Sequence, residues 1–542
     1  MKPISWIYRY CRKYVWAIAL LALTGMLSAG GFVLLALVSS GLLDVVTGAR
    51  EGSSLWHCIL LAGLVILQGG WNILYSNLRM YVLGKTEIAM RQGMLETIFK
   101  KEYAEISHIH SGELLNLFTS DIDVITQGVV GIIPQLASMA TRLLSGLWVL
   151  FLLDAGFAWG VLGIGTALCL CSRIYSRHFQ HLHREVQETG GKVRSFMQEC
   201  VENLLVVKSF SNEDMMKEKL GERQQIHYKK KMKRNAAGNA ANTAAYMLFT
   251  GGYYAALAWG AFQIADGALT FGGLTAFLQI LNQLRMPFRN MSGLIPRYYS
   301  MLSSAQRILD LENLTDESVQ TEIKEPKQLY QEMKSIEFSD VGFSYDNKKV
   351  LEHFSFSVRK GDMVLVMGTS GRGKSTLIKL LLGLYPCKEG EIFFDTFRGR
   401  IKAGAETRRL FAYVPQGNLV LSGSIRENIA FSQKGISEEE IIEAAKTACI
   451  WDYIRELPNG LDTVLKERGA GLSEGQIQRI AIARAVCSKA PVLLLDECTS
   501  ALDKETELSV LNNLKALNTR TIFFISHKNA GLQCCNRKIQ MY

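Results

Sequence analysis

Six apolar segments dominate about the first 300 residues and limit the fold more than any other feature of the sequence. Each is long enough to cross the ~30 Å hydrocarbon core of a bilayer. They lie at about 15–38, 55–77, 129–153, 157–175, 244–265 and 269–296. The last two are the weakest because both contain polar residues. The sequence therefore predicts an α-helical membrane domain with six spans.

The stretches between these segments predict the orientation of the helices. Short stretches at 39–54, 154–156 and 266–268 alternate with long ones at 78–128 and 176–243. Lys and Arg are concentrated in the N-terminus and in the two long stretches, and such residues mark the cytoplasmic side of a membrane. We therefore predict a multi-pass integral membrane protein of the plasma membrane, with its N- and C-termini in the cytoplasm.

The N-terminus and the two long stretches have their own structure. The opening MKPISWIYRYCRKY is basic and amphipathic and predicts an interfacial helix. The apolar stretch after it, about 24 residues, is too long for the h-region of a cleavable signal peptide. Segments 113–125 and 193–210 have helical periodicity, so we expect the membrane helices to extend into the cytosol and turn there.

The charge distribution favours a membrane partner over a nucleic acid. Lys and Arg number 60 against 50 Asp and Glu, and fourteen of the basic residues lie at 173–234, between two apolar segments. Positive charge beside membrane spans explains this stretch more simply than a nucleic-acid surface does. The 11 cysteines form no C-x-x-C pair, which is typical of reduced, packed cysteines.

Residues 368–376, GTSGRGKST, fit the phosphate-binding pattern G-x-x-x-x-G-K-[ST]. The apolar run 363–367 before them has strand character, and 376–384 has the spacing of a helix. In such a loop, backbone N–H groups and the helix dipole attract phosphate oxygens. Lys374 would reach the outer phosphates and Ser375 would bind magnesium. A Gly-rich turn without a ligand is the alternative reading.

Further polar groups in the C-terminal half suggest a nucleotide hydrolase. The strand-like run VLLLDE (492–497) ends in Asp496, which could hold magnesium, and Glu497, which could orient or deprotonate water. LSEGQ (472–476) opens a predicted helix and forms a second anion site around Ser473. Gln416 and His527 follow strands and are candidate contacts of the γ-phosphate or of water.

Each of these motifs has an ordinary structural explanation when taken alone. A single Gln, His or Tyr is more often solvated or packed, LSEGQ could be only a helix cap, and Asp-Glu pairs at strand ends are common. Tyr345, in FSYDN, could stack on adenine, and SALD (500–503) follows the second carboxylate closely. The complete set, in this order and spacing, makes coincidence improbable.

With these motifs the chain resembles the ATP-binding cassette (ABC) transporters, specifically exporter-type half-transporters. The resemblance implies a six-span membrane domain at 1–312, a linker at 313–332 and an α/β P-loop NTPase domain of ABC type at 333–542. The segments SGELLNLFTSDID and LLVVKSFSNED resemble the family's two intracellular loops. Glu467, Arg468 and Gly469 resemble an element that senses the membrane domain.

The resemblance also implies roles for individual residues. The expected catalytic residues are Glu497, His527 and Gln416. The expected magnesium ligands are Ser375, Gln416 and Asp496. The expected ATP contacts are Tyr345, Gly368, Thr369, Ser370, Gly371, Arg372, Gly373, Lys374, Ser375, Thr376, Ser473, Gly475, Gln476 and Asp503.

Two departures from the family pattern stand out. The signature has Glu474 where the family most often has Gly, which puts a carboxylate near a phosphate site. The chain also ends fifteen residues after His527, so we expect the family's terminal strand and helix to be missing or much reduced. Neither departure removes a catalytic group.

In this family the signature of one cassette completes the ATP site of another, so a second half-transporter is the implied partner. A homodimer is favoured and a heterodimer remains open. We expect an ATP-driven exporter of a peptide, lipid or amphiphilic small molecule that works by alternating access, with ATP and Mg²⁺ as cofactors and no nucleic-acid partner. Two alternatives stay open: an importer on the same fold, and a non-pumping membrane protein regulated by ATP.

Two arginines lie inside predicted spans, Arg142 in the third and Arg285 in the sixth. A charge at the middle of a span costs about 2.5–3.5 kcal/mol on insertion scales, and such residues usually face a cavity or a partner. Either the two arginines reach toward the interface or bond helix carbonyls, or at least one lines the cargo pathway and attracts an anionic group. The sequence leaves both readings open.

Overall fold

The structure is a computed structural model of the full chain. It describes residues 2–541 apart from 318–325, 346–347, 370, 418–419, 432–434, 467–468, 470 and 529–530. For some helix residues it describes the backbone but not the side chain: 157, 161, 164–178, 180, 245, 286, 288–289 and 291–292. The chain forms two compact units, 1–96 with 111–312, and 97–110 with 313–542.

The N-terminal part of the chain is helical. Its helices are α1 (Pro3–Cys11), α2 (Val15–Val46), α3 (Ser54–Lys100), α4 (Tyr103–Ile106), α5 (Ser111–Asn116), α6 (Ile122–Leu153), α7 (Ala155–Glu202), α8 (Leu204–Ser209), α9 (Glu213–Ala265) and α10 (Phe271–Glu312). Of these, α4 belongs to the second unit. Each predicted span lies almost entirely within one long helix: α2, α3, α6, α7, α9 or α10.

By length and composition, three helical stretches of the described residues could cross a membrane: Pro3–Val46, Ser54–Lys100 and Ser111–Leu153. The side chains of the predicted span 157–175 lie mostly outside the described residues. At 1.5 Å per residue, a helix of 47 residues such as α3 is ~70 Å long, more than twice the hydrocarbon thickness. The helices therefore continue well beyond a bilayer, as the periodicity of the long stretches predicts.

Three helices of the first unit, α2, α6 and α10, pack against one another. Close approach of α6 and α10 depends on Gly146, where an added Cβ would lie 2.9 Å from Leu284 Cδ2. Around this point a cluster of buried apolar side chains includes Val149, Leu150 and Ile280. Tight packing of small and branched residues holds these three helices together in the absence of a hydrophobic effect between them.

The second unit is an α/β domain. Its strands are β1 (Met333–Tyr345), β2 (Lys348–Arg359), β3 (Met363–Met367), β4 (Glu389–Thr396), β5 (Gly399–Lys402), β6 (Phe411–Val414), β7 (Gly423–Ser424), β8 (Val464–Leu465), β9 (Val492–Asp496), β10 (Thr521–Ile525) and β11 (Arg537–Gln540). Its further helices are α11 (Pro326–Glu332), α12 (Lys374–Leu381), α13 (Ile425–Ile429), α14 (Glu438–Thr447), α15 (Trp451–Glu456), α16 (Glu474–Cys487), α17 (Lys504–Lys515) and α18 (Gly531–Cys534).

The central sheet of this unit has the order β11-β3-β10-β9-β6, and its neighbouring strands are parallel. An antiparallel sheet, β2-β1-β4-β5, accompanies it. Strands β9 and β10 are buried at every position, as expected for a parallel sheet covered on both faces. The strand nearest the end of the chain, β11, has four residues and pairs with β3 at the edge of this sheet.

The segment 97–110 belongs to the second unit because it is bonded to the chain just after α10. The Glu105 carboxylate accepts hydrogen bonds from the N–H (2.7 Å) and the hydroxyl (2.8 Å) of Thr315. Lys101 is buried, and its ammonium lies 2.6 Å from Asp316. Part of the first long stretch is thus fixed to the beginning of the predicted linker.

The end of the predicted linker is also packed. Helix α11 lies inside the stretch 313–332 and places Leu329 and Tyr330 in the hydrophobic core of the α/β domain. The Tyr330 hydroxyl lies 3.0 Å from the Thr521 hydroxyl. The packed part of the domain therefore begins at Pro326, earlier than the polar composition of this stretch suggests.

Candidate functional site

The phosphate loop joins β3 to α12, as the sequence predicts. Gly371 and Gly373 have φ near +83°, a left-handed conformation that favours glycine. A Cβ at Gly373 would also lie 2.8 Å from Val350 Cγ1. The loop can therefore turn its backbone inward ahead of the N-terminus of α12, where a helix binds anions.

Lys374 is the first residue of α12, and its ammonium lies inside the loop. It donates to the carbonyl oxygens of Gly368 (2.9 Å) and Thr369 (3.0 Å) and is 5% exposed. Burial lowers the pKa of Lys374, and the carboxylates of Glu497 and Asp496 oppose this shift. The cation is therefore held at the position where phosphate oxygens would enter the loop.

Asp496, the last residue of β9, is almost completely buried and has an unpaired oxygen. Its Oδ2 accepts from the Tyr413 hydroxyl (3.3 Å), whereas its buried Oδ1 has no hydrogen-bond partner. Burial raises the pKa of Asp496, and the nearby Ser375 hydroxyl opposes that rise. An unpaired carboxylate oxygen beside a hydroxyl is the kind of oxygen donor set that Mg²⁺ prefers.

Glu497 is held by side chains from the two strands that flank β9. The Gln416 amide, two residues after β6, donates to Glu497 Oε2 at 2.7 Å. His527 Nε2, two residues after β10, lies 2.9 Å from Glu497 Oε1. Glu497 has φ of 49°, unusual for a non-glycine residue, and its N–H donates to Ile525 O (3.0 Å). The structure therefore brings the three predicted catalytic residues into direct contact.

Tyr345 lies in an aromatic group next to α12. Its ring makes edge contacts with Phe343 (4.9 Å between centroids) and Tyr385 (5.4 Å), and its hydroxyl lies 3.4 Å from Thr376 Oγ1. Tyr385 also packs edge-on against Tyr103 of the segment 97–110 (5.9 Å). Tyr345, the predicted adenine contact, is thus connected to the segment 97–110 through the ring of Tyr385.

The signature residues begin α16, as predicted. Ser473 caps the helix: its hydroxyl accepts from Gln476 N–H (3.3 Å), and Gln476 Oε1 accepts from Ser473 N–H (2.8 Å). Glu474 is exposed in the first turn. A Cβ at Gly475 would lie 3.0 Å from Ala501 O, so this glycine allows α16 to approach the segment 499–503 closely.

Two residues that the sequence did not single out connect the segment 499–503 to the rest of the site. Lys528 donates to the carbonyls of Thr499 (3.0 Å) and Leu502 (2.8 Å). Buried Gln478 of α16 donates to Ser500 Oγ (2.8 Å) and accepts from Ala501 N–H (3.1 Å). Lys528 directly follows His527, so the residue next to His527 and the signature helix are both bonded to one segment.

Two of the predicted ATP contacts, Asp503 and Arg372, bond to neighbouring groups of the same segment. Asp503 caps α17 by accepting from Thr506 N–H (3.0 Å). Arg372 donates to Thr369 Oγ1 (3.3 Å) within the loop and is exposed. Ser370, Glu467 and Arg468 lie outside the described residues.

The chain matches two family models in series. The model described as "ABC transporter transmembrane region" matches residues 18–288. The model described as "ABC transporter" matches residues 351–500. The first covers most of the helical unit, and the second contains the phosphate loop, the signature and the carboxylates at the end of β9.

Similar proteins and one solved structure extend these matches along the chain. An ATP-dependent lipid A-core flippase of Desulfotalea psychrophila is 32% identical, covering 79% of this chain and 74% of the relative. An ATP-dependent lipid A-core flippase of Syntrophus aciditrophicus is 28% identical, covering 95% of this chain and 86% of the relative. The fold is similar to the solved structure of a bacterial Atm1-family ABC exporter with ATP bound, with a TM-score of 0.78 and 23% sequence identity. The superposition covers 98% of this chain and 94% of the exporter chain. The predicted fold class is confirmed.

Proposed function

The chain belongs to the ABC transporter family, and we propose that it exports a lipid or another amphiphile from the cytoplasmic side of the cell membrane. Membership makes it an integral membrane protein that binds and hydrolyses ATP to drive transport. The observation that carries this function is the contact of Glu497 with Gln416 and His527 beside the phosphate loop. A protein that only bound ATP as a regulator would have less need of this arrangement.

The residues present fit a magnesium ion bound together with ATP. Asp496 Oδ1 is unpaired, and the Ser375 hydroxyl and the Gln416 amide oxygen supply further oxygen ligands. We assign the ion to Ser375, Gln416 and Asp496, with Asp496 acting through water. When bound, magnesium would neutralise the developing charge on the β- and γ-phosphates.

The hydrolytic step follows from what the chain's own groups can do. Lys374 and the loop N–H groups hold the phosphates. Glu497 orients the attacking water and accepts its proton, and His527 contacts the γ-phosphate. Gln416 and His527 contact the two oxygens of Glu497 and hold them in place. Pre-formed geometry of this kind lowers the cost of reaching the transition state.

A chain with one membrane domain and one cassette works with another half-transporter, and we propose a homodimer. Ser473, Gly475 and Gln476 of the signature are present, and so is the predicted catalytic Glu497, so two copies could form two hydrolysing sites. Helix α8 supports a dimer because its apolar side chains are exposed, with Leu205 at 82%. This helix would dock on the partner's cassette.

We propose 1–312 as the membrane domain, 313–332 as the linker and 333–542 as the cassette, with the end of the linker from Pro326 packed on the cassette and the segment 97–110 grouped with it. Only a higher affinity of ATP for the closed pair of cassettes can drive the membrane helices, because a ligand shifts an equilibrium by its differential affinity. Closure would be passed on through the cytosolic ends of the helices, and hydrolysis would reopen the pair.

Transport direction in inside-out vesicles tests the proposal against an importer. Inside-out vesicles containing the full chain should accumulate a fluorescent amphiphile only with ATP and Mg²⁺, and Glu497→Gln vesicles should not. Accumulation in right-side-out vesicles with internal ATP would instead establish an importer. Turnover of ATP with no movement in either orientation, across peptides, lipids and amphiphiles, would favour a regulator.

A further inference from the structure

Among the described residues of α6 and α10, two buried polar atoms have no hydrogen-bond partner. Arg142 Nε in α6 is buried and has no hydrogen-bond partner, and its guanidinium lies 5.0 Å from the centre of the Phe32 ring. Gln283 in α10 donates its amide to Phe32 O (2.9 Å), whereas its buried Oε1 has no partner. Both groups flank Phe32 of α2, so they lie in the junction of three packed helices.

The depth of this junction makes the missing partners significant. Arg142 is eleven residues before the end of α6, and Gln283 is twelve residues after the start of α10. At 1.5 Å per residue both lie ~17 Å from the outer ends of their helices, near the middle of a ~30 Å hydrocarbon core. Water cannot solvate an unpaired polar group cheaply at this depth.

The predicted spans offer no acidic residue with which to neutralise Arg142. The six predicted spans contain no Asp or Glu. A second copy of the chain therefore brings no carboxylate to this depth either. A phenylalanine ring gives a cation only partial compensation, so an anion carried by another molecule is the partner that best completes the environment of Arg142.

Arg285, the other arginine discussed above, has a different environment from that of Arg142. Its guanidinium lies 5.5 Å from the ring centre of Tyr246 and 5.9 Å from that of Phe249, so two aromatic rings lie against it. It has the same charge and length as Arg142 but a different environment. Arg285 is therefore the matched control for Arg142.

We propose that Arg142 and Gln283 form the head-group site of the cargo pathway, and that this site binds a phosphate monoester head group of an amphiphile. This inference rests on the proposed function as an exporter. The Arg142 guanidinium donates to an anionic oxygen, and guanidinium groups are well suited to phosphate. The amide orientation of Gln283 is set by its bond to Phe32 O, so Oε1 is free to accept a hydrogen bond.

A site with one cationic donor, Arg142, and one neutral acceptor, Gln283 Oε1, should bind some anionic head groups more tightly than others. A singly protonated phosphate monoester offers both a negative oxygen and a hydroxyl, and therefore satisfies both groups. A carboxylate satisfies Arg142 but leaves Gln283 Oε1 unpaired, which costs about 1–3 kcal/mol when the group stays buried. A neutral head group leaves the charge of Arg142 unpaired.

Three amphiphiles with the same twelve-carbon chain test this order in proteoliposomes of the full chain. Dodecyl phosphate should stimulate ATP hydrolysis at the lowest concentration, followed by dodecanoate and then dodecylglycerol. Arg142→Gln should raise the half-stimulating concentration of dodecyl phosphate about 10-fold, equivalent to about 1.4 kcal/mol, and leave that of dodecylglycerol unchanged. Gln283→Leu should abolish the preference for phosphate over carboxylate. Arg285→Gln should respond to all three as the parent does.

The outcomes separate this inference from the function on which it rests. If Arg142→Gln shifts all three compounds equally or none of them, Arg142 only stabilises the helices and the head-group site is wrong. If inorganic phosphate alone stimulates hydrolysis as well as dodecyl phosphate does, the ligand is a soluble anion rather than an amphiphile. If no amphiphile of any charge stimulates hydrolysis or is transported, the proposed function itself fails.

Discussion

The nucleotide-binding unit presents two surfaces with ATP motifs, and they differ in how far one chain completes them. On the catalytic surface, Lys374, Asp496 and Glu497 are assembled by contacts within the chain, and Glu497 has partners on both oxygens. On the signature surface, the contacts of Ser473 and Gly475 run to α16 itself and to the segment 499–503. One surface is prepared for chemistry and the other for a second molecule.

This difference indicates a division of labour between chemistry and assembly. The carboxyl ends of parallel strands meet at one edge of the central sheet, which concentrates the reactive side chains there. The signature is instead the capped N-terminus of a helix, a site for an anion supplied from outside. Variants on the two surfaces should therefore have different kinetic effects.

The largest effect should come from the catalytic carboxylate. Glu497→Gln should lower the turnover of ATP roughly 10²- to 10⁴-fold, the usual contribution of a general base, and should leave ATP binding intact. Steady-state hydrolysis and binding of a fluorescent ATP analogue measure the two quantities. Glu505→Gln, on the exposed face of α17, is the control. Near-normal turnover by Glu497→Gln would show that another group is the base.

Loss of the loop cation should act on binding. Lys374→Ala should weaken ATP binding about 10- to 100-fold, because charge-assisted hydrogen bonds contribute about 1.5–3 kcal/mol. The dissociation constant of ATP at fixed Mg²⁺ measures this change, and Lys446→Ala, at an exposed position of α14, should leave it unaltered. An unchanged dissociation constant for Lys374→Ala would mean that ATP does not occupy this loop.

The segment 499–503 is bonded both to Lys528, next to the predicted catalytic His527, and to Gln478 of the signature helix. A variant that breaks one of these connections tests whether the catalytic and signature surfaces are coupled through this segment. Lys528→Met removes both hydrogen bonds that Lys528 donates to this segment. It should lower kcat about 3- to 10-fold with KM for ATP unchanged, within the 0.5–2 kcal/mol typical of such networks. Lys528→Arg should restore most of the rate. The exposed Lys504→Met is the control. An equal loss in Lys528→Met and Lys528→Arg, or a change in KM alone, would show that Lys528 does not position the segment.

The smallest effect should come from the acidic residue of the signature. Glu474→Gln should raise the hydrolysis rate about 2-fold at low salt, because an exposed carboxylate near a phosphate contributes only a weak repulsion. The difference from the parent should disappear as salt screens the charge. If Glu474→Gln hydrolyses ATP more slowly at every salt concentration, Glu474 supports the site instead of weakening it.

The sequence predicted much of the fold and the catalytic group because both depend on local patterns. Apolar length indicated the membrane helices, and the glycine and lysine spacing indicated the phosphate loop. Gln416 and His527 were predicted as strand-end residues, and the strand order then brought them to Glu497. Strand order depends on long-range pairing, which no local pattern specifies.

The residues that sequence reasoning missed act through the backbone or through distant packing. Lys528 and Gln478 bind carbonyl, N–H and hydroxyl groups of another segment, so their neighbours in sequence give no sign of the role. The bonding of Glu105 to Thr315 joins positions 210 residues apart. The burial of α11 was missed because its polar surface dominates the composition of that stretch.

The central claim is that each ATP site is made by the catalytic surface of one chain and the signature of another. It can be tested with dimers of two differently tagged copies that carry Glu497→Gln and Ser473→Arg. In the trans arrangement, each copy has one substitution. In the cis arrangement, one copy has both substitutions and the other has none.

The purified trans and cis dimers are then compared by vanadate-dependent trapping of nucleotide, normalised to protein. The account predicts that the trans dimer traps nucleotide and the cis dimer does not, because only the trans arrangement leaves one complete site between an intact catalytic surface and an intact signature. The reverse result, trapping by the cis dimer alone, would show that each chain builds its own site and would contradict the account.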